Sequence, residues 1–342
     1  MKKKIILMLV FALVLSFALA GCGGQEQEPN NEGNDPVEEP PVVETLNISI
    51  ITGSTGGTYY PLGGAMANVW TNYIDGLQVT SQPGGASVES VNRVNAGEIE
   101  LGMAMNNIAD DAWNGKGTWA EDGPQQNFRA IGVIYPEVYQ GVALADSGID
   151  SIEDLGGKRV AVGPVGSGTM VLSEGVFRIA GLEFDDMTAD YAGFGDAASK
   201  MKDGHLDANF GVLGVPAAAI QDIMTSRDIN VIEIDDEMFA KIKAEMPFFS
   251  QFIIPAGTYG NEEDVKTINC QAALYVTPDM SEDMVYEITK VFYEHASEIA
   301  DAHAAGRYIS LDKALDGIST PLHPGALKYY LEQGIDVPEE IR

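Results

Sequence analysis

Cysteine is nearly absent: the 342 residues hold only Cys22 and Cys270. Two cysteines rule out a disulfide-stapled scaffold, and a chain this long is stable on an apolar core alone. Basic residues are scarce, 20 Lys and Arg against 51 Asp and Glu, for a net charge of −31. That balance excludes the basic surface on which nucleic-acid binding rests. It also disfavours broad docking on anionic lipid heads. Histidine is rare, and His205, His295, His303 and His323 do not fall in a zinc-ligand spacing. Long apolar runs are missing after residue 20, so no later segment is long and apolar enough to span a bilayer.

The one long apolar run is residues 5–20, behind a basic front of Lys2, Lys3 and Lys4 and ahead of Leu19-Ala20-Gly21-Cys22. A positive front, an apolar stretch and small residues before a cut site make an export signal, not a structural element. The last four residues resemble the bacterial lipobox. That resemblance implies a signal over residues 1–21, lipidation of Cys22, and attachment at the outer face of the cell membrane. The alternative is a plain signal peptide with a chance Cys. From Cys22 onward the charge is −34, because residues 1–21 carry three lysines and no acid. Residues 23–43 are rich in Gly, Pro, Asn and Glu. They bury too little apolar area to offset their ordering entropy. With Cys22 they form an acidic leash, 22–43, about 25 Å long as a flexible coil.

From residue 44 the pattern alternates short strands with helices. Leu46–Ile50 reads as a strand, and Tyr59, Leu62, Met66, Val69 and Tyr73 recur at helical spacing. Leu77–Thr80 and Ile99–Met103 are further strands. Between them Ser87 is placed to cap a helix carrying Val88, Val91 and Val94. Arg129–Ile134 and Tyr139–Ala145 read as two strands, with Tyr135-Pro136-Glu137 as a hinge between them. Lys158–Val162 and the segment ending at Phe210 continue the theme, and late helices are expected near 281–300 and 324–333. Alternating strands and helices imply parallel sheets in an α/β fold. Cys270 lies in an apolar stretch and reads as a buried small hydrophobe. Trp70, Trp113 and Trp119 read as core, His295 and His303 as solvated on a surface helix.

Four turns carry most of the information: 52–58, 83–87, 105–107 and 163–169. Each lies between the end of a strand and the start of a helix. In open α/β sheets, ligands bind outside the carboxyl ends of the strands. Glycine lets a ligand approach the backbone. The first N–H groups of a helix are unpaired and partly positive, so such turns form an anion site without Lys or Arg. Nucleotide phosphates are a poor fit: residues 163–169 lack the Lys of a P-loop, and the first turn is not G-x-G-x-x-G. No G-x-S-x-G elbow is present, and no catalytic constellation, cofactor or metal is read from the chain.

Thr52–Gly64 (TGSTGGTYYPLGG) resembles the opening of the TAXI receptors, the solute-binding subunits of one class of tripartite ATP-independent periplasmic (TRAP) transporters. Further segments match that family in the same order. They are Gly84–Glu89, Tyr135-Pro136-Glu137, Asp146–Ile149 with Asp154-Leu155, Gly163–Thr169, Gly214-Val215-Pro216, Ile254–Tyr259 and Pro321–Gly325, so nearly all of 46–334 is covered. The resemblance implies a type II periplasmic-binding-protein fold with two lobes, approximately 44–136 plus 278–342 and 137–277. It implies capture of a small organic anion or amino acid, glutamate-like or dicarboxylate, for delivery to a TRAP permease. Carried over by position, the contacts are Ser54, Thr55, Thr58, Tyr59, Gly85, Ala86 and Ser87 from one lobe. Tyr135, Ser167, Gly168, Thr169 and Gly214 come from the other side or the hinge. The chain departs from the pattern at Met105 and Asn106-Asn107, where the family often has Gln and then Ser-Asp. Asn106 therefore joins the expected polar set in a changed form. Two rival readings are an exported α/β enzyme acting on a small acid and a ligand-sensing lipoprotein serving a signalling partner.

Overall fold

The computed structural model describes residues 45–342. The export signal, Cys22 and the leash lie outside the described residues. The first elements are β1 (Leu46–Ile51), α1 (Tyr59–Tyr73), β2 (Leu77–Gln82), α2 (Ser87–Asn95), β3 (Leu101–Met105) and α3 (Asn106–Asn114). Next come β4 (Arg129–Leu144), β5 (Arg159–Ala161), α4 (Gly168–Ile179), β6 (Thr188–Asp190), α5 (Phe194–Lys202) and β7 (Ala208–Leu213). Then follow α6 (Ala218–Met224), β8 (Ile229–Ile232), α7 (Asp236–Glu245), β9 (Ser250–Ile254) and β10 (Val265–Val276). The chain closes with α8 (Glu282–Glu294), α9 (Ala296–Ala302) and α10 (Pro324–Glu332).

The strands form one mixed sheet in the order β2-β1-β3-β10-β4-β7-β5-β6, with β8 added to β4 and β9 to β10. Two parallel sets sit at its ends, β2-β1-β3 and β7-β5-β6. They make up the two halves of the sheet. The antiparallel strands β4 and β10 join them. β4 pairs with β10 up to Val138, then with β7 from Val138 and β8 from Gly141. The pattern of two strands around a hinge is therefore corrected: Tyr135-Pro136-Glu137 lies inside one continuous strand. Pro136 gives no N–H to the ladder, and it sits close to where β4 changes partners. The register against β10 also slips, so that Ala272 faces Tyr135 and Ala273 faces Val133, leaving Ile134 as an extra residue.

The apolar spacing explains the helices. In α1, Tyr59, Leu62, Met66, Val69 and Trp70 are buried on one face. α8 is capped by Ser281, whose hydroxyl accepts from the Met284 amide, and buries Val285, Ile288 and Phe292. Trp70 and Trp119 are core, as is Cys270 at 2 % exposure. Two expectations fail. Ser87 does not cap α2 but is its first residue, behind Ala86 at φ 72. His303 is not on a solvated helix face; it is half-buried after α9, and its Nδ1 accepts from the Ala305 amide. No helix among the described residues is long and apolar enough to cross a membrane.

Candidate functional site

The carboxyl ends of β1, β3, β5 and β7 open on a narrow cavity with about 320 Å³ of empty space. Three helices begin at its wall: α1 with Thr58 and Tyr59, α2 with Ala86 and Ser87, α4 with Ser167, Gly168 and Thr169. Tyr135 and Glu137 enter from β4, Met105 from β3, Phe194 from α5, and Val212 and Leu213 from β7. Gly53 and Gly57 complete the lining.

Local sequence sets these close approaches. Gly163 turns the chain at φ 102, where a Cβ would stand 2.6 Å from Thr169. A Cβ on Gly168 would meet Met105 Sδ and crowd Ser87 Oγ. Ala86 is the only non-glycine residue with positive φ among the described residues. Such a conformation costs energy and persists where the surroundings hold it, often at a ligand site.

The lining hydroxyls accept from backbone amides. Gly214 N donates to Thr58 Oγ1 at 2.9 Å, Met105 N to Ser87 Oγ at 3.1 Å, and Val212 N to Thr169 Oγ1 at 3.0 Å. The Ser167 hydroxyl caps α4 by accepting from Met170 N, and it donates to the Pro164 carbonyl. The amides of Tyr59, Ser87, Gly168 and Thr169 have no partner among the described hydrogen bonds. At the far wall Glu137 is 3 % exposed. Its carboxyl accepts from the Tyr59 hydroxyl at 2.6 Å and from the Tyr135 hydroxyl at 3.2 Å. The two rings meet edge-on, 6.2 Å between centroids. Burial pushes the Glu137 carboxyl up to about 8, against the opposing effect of the two phenols. Tyr59 and Tyr135 are driven well above the usual phenol range, first by burial and then by the Glu137 charge.

Eight of the residues expected from sequence meet at this cavity: Thr58, Tyr59, Ala86, Ser87, Tyr135, Ser167, Gly168 and Thr169. Five stand elsewhere. Ser54 accepts from Phe194 N at 3.3 Å across the seam between the two halves. Thr55 lines an adjoining space with Tyr60, Ala217 and His303. The Gly85 amide donates to Glu89 Oε2, and the Gly214 amide to Thr58. Asn106 ties the frame together, donating to the Gly317 carbonyl and accepting from the Gln271 amide. A second seam bond pair joins the halves: Val88 N and Glu89 N, at the start of α2, both donate to the Gly166 carbonyl.

Glu137 is the residue that the sequence reading missed. The available signal was strand alternation, since Tyr135 and Glu137 stand at i and i+2 and share a face. Among the described residues no Lys, Arg or His lines the cavity. No Ser or Thr of the lining is hydrogen-bonded to a His, Asp or Glu side chain. Among the described residues no three His, Cys, Asp or Glu are grouped to hold a metal.

Residues 50–334 match the model of the NMT1-like family. The chain belongs to that family. Its fold is similar to that of several solved structures at low identity. The periplasmic aliphatic sulphonate binding protein SsuA from Escherichia coli is 18% identical. The match covers 84% of this chain and 83% of SsuA, with a TM-score of 0.45. PhnD1 from Prochlorococcus marinus, solved in complex with methylphosphonate, is 14% identical over 77% of this chain and 92% of its own, with a TM-score of 0.48. A putative L-cystine ABC transporter from Listeria monocytogenes is 14% identical over 79% of this chain and 98% of its own, TM-score 0.45.

Proposed function

We propose that this member of the NMT1-like family is an extracytoplasmic receptor that closes over one small organic anion and delivers it to a membrane permease. The observation that carries the reading is the cavity itself: both halves of the sheet wall it, and its hydroxyls and helix N-termini offer donors. A carboxylate placed there would accept from the free amides of α1, α2 and α4, each at a partly positive helix end. Contact with both halves gives the ligand differential affinity for the closed state, which is what drives closure. In this reading the halves act as lobes of roughly 44–136 plus 278–342 and 137–277, crossing over along β4 and β10. The ordered resemblance to TAXI receptors supports a TRAP-type permease as the recipient and a glutamate-like or dicarboxylate ligand. A lipid on Cys22 would keep the receptor beside that permease.

Thermal-shift screening against organic acids and amino acids tests the reading. A ligand at one hundred times its Kd stabilises the closed form by about 2.7 kcal/mol, a rise of several degrees in Tm for a domain of this size. A folded sample with no response across the panel would overturn it.

A further inference from the structure

Resting on the receptor reading, we infer that Glu137 works in the site as a carboxylic acid. It gives its proton's hydrogen bond to an anionic oxygen of the ligand, so that the receptor binds a carboxylate that lacks an ammonium group together with one proton.

The argument starts from donors and acceptors. The Thr58, Ser87 and Thr169 oxygens each already accept from a backbone amide, which leaves each a proton to give. The free amides of the helix starts are donors only. Glu137 is the one carboxyl among the described residues of the lining, and it already accepts hydrogen bonds from two phenols. An ammonium group would bring three more donors into a space already dominated by donors. An anion brings the acceptors that the space lacks.

That anion must still face Glu137. Two negative charges in a closed, low-dielectric cavity repel strongly, and no Lys, Arg or His among the described residues lines it to intervene. The titratable groups facing Glu137 are Tyr59 of α1, Tyr135 of its own strand, and Cys270, its register partner on β10. All three are neutral in the physiological range, and burial drives each further from ionising. None can balance a carboxylate, whereas one proton on Glu137 removes the repulsion and adds a donor. Burial already holds this carboxyl up to about 8.

The test pairs mono- and dicarboxylates of two to six carbons with their 2-amino counterparts, glutarate against L-glutamate for example. Binding is measured by calorimetry from pH 6.5 to 9.5 in two buffers of different ionisation enthalpy. The tightest carboxylate is expected to take up almost no proton at pH 6.5 and close to one at pH 9. Its affinity should fall about tenfold per pH unit above pH 8. In Glu137→Gln the affinity should no longer vary with pH. Proton counting on the unaltered protein carries the test if that variant does not fold. Proton release on binding, affinity that climbs towards pH 8, or preference for the amino counterparts would overturn this inference and leave the receptor reading standing. Silence of both series in a folded sample would overturn the receptor reading itself.

Discussion

Thr58 and Gly214, 156 residues apart in the chain, are joined by a 2.9 Å hydrogen bond from the Gly214 amide to Thr58 Oγ1. It links the turn before α1 to the end of β7, one from each half of the sheet. Thr58→Val keeps the shape and removes the acceptor, leaving a buried N–H unpaired. The expected cost is about 1–3 kcal/mol in urea unfolding, together with weaker ligand binding. Thr58→Ser should restore both, and a Val variant as stable as the parent would show that the bond contributes nothing.

Glu137 gives the stability a pH dependence of known sign. Its carboxyl titrates near 8 in the folded chain and near 4.5 in the unfolded one. Between those values the unfolded chain loses a proton that the folded chain keeps. The stability present below pH 4.5 therefore drains away as pH rises towards 8. The loss is roughly 5 kcal/mol if nothing else titrates. Chemical denaturation at pH 5, 6, 7 and 8 should show this fall in the parent and a flatter line in Glu137→Gln.

Two glycines make a matched pair. A Cβ on Gly56 would stand 2.4 Å from the Gly195 amide nitrogen, backbone that has no rotamer to move. Gly56→Ala should hold the seam open and weaken ligand binding more than tenfold. Gly64 sits within α1, and a Cβ there meets nothing. Gly64→Ala should leave binding alone and raise stability by about 0.5–1 kcal/mol.

Cys270 should be inert. It is buried opposite Glu137, and burial pushes its thiol well above the ordinary range. In a chain beginning at residue 23 it is the sole thiol. Ellman's reagent should react with it only as the protein unfolds; prompt reaction in the native state would contradict the packing described for β10.

Cys22→Ala tests the address. On the proposal that a lipid on Cys22 anchors the receptor, the variant should move from the membrane to the soluble fraction with reduced uptake, while its ligand affinity stays that of the parent. Loss of binding in that variant would give the tether a role beyond attachment.

The elements that position the site were readable where a single local signal ruled. The apolar spacing of α1 and the strand-turn-helix succession around residues 163–169 both led to the observed structure. β4 was misread because Pro136 and the charged Glu137 look like a break in an apolar run. Only the change of partner from β10 to β7 explains why the strand continues there. Glu137 was missed for the same reason, since alternation has no meaning across a supposed hinge. Asn106 shows the opposite error. Its place after β3 suggested a ligand contact, but its amide meets Gly317 and Gln271, far along the chain and invisible to local reasoning.

The Gly166 carbonyl takes both Val88 N–H and Glu89 N–H, so the start of α2 is satisfied by the opposite wall. Any separation of the two halves has to break both of these bonds. Part of what holds the walls together is therefore main chain alone, a contribution that stays the same whichever solute lies between them and whatever side chains are exchanged around it.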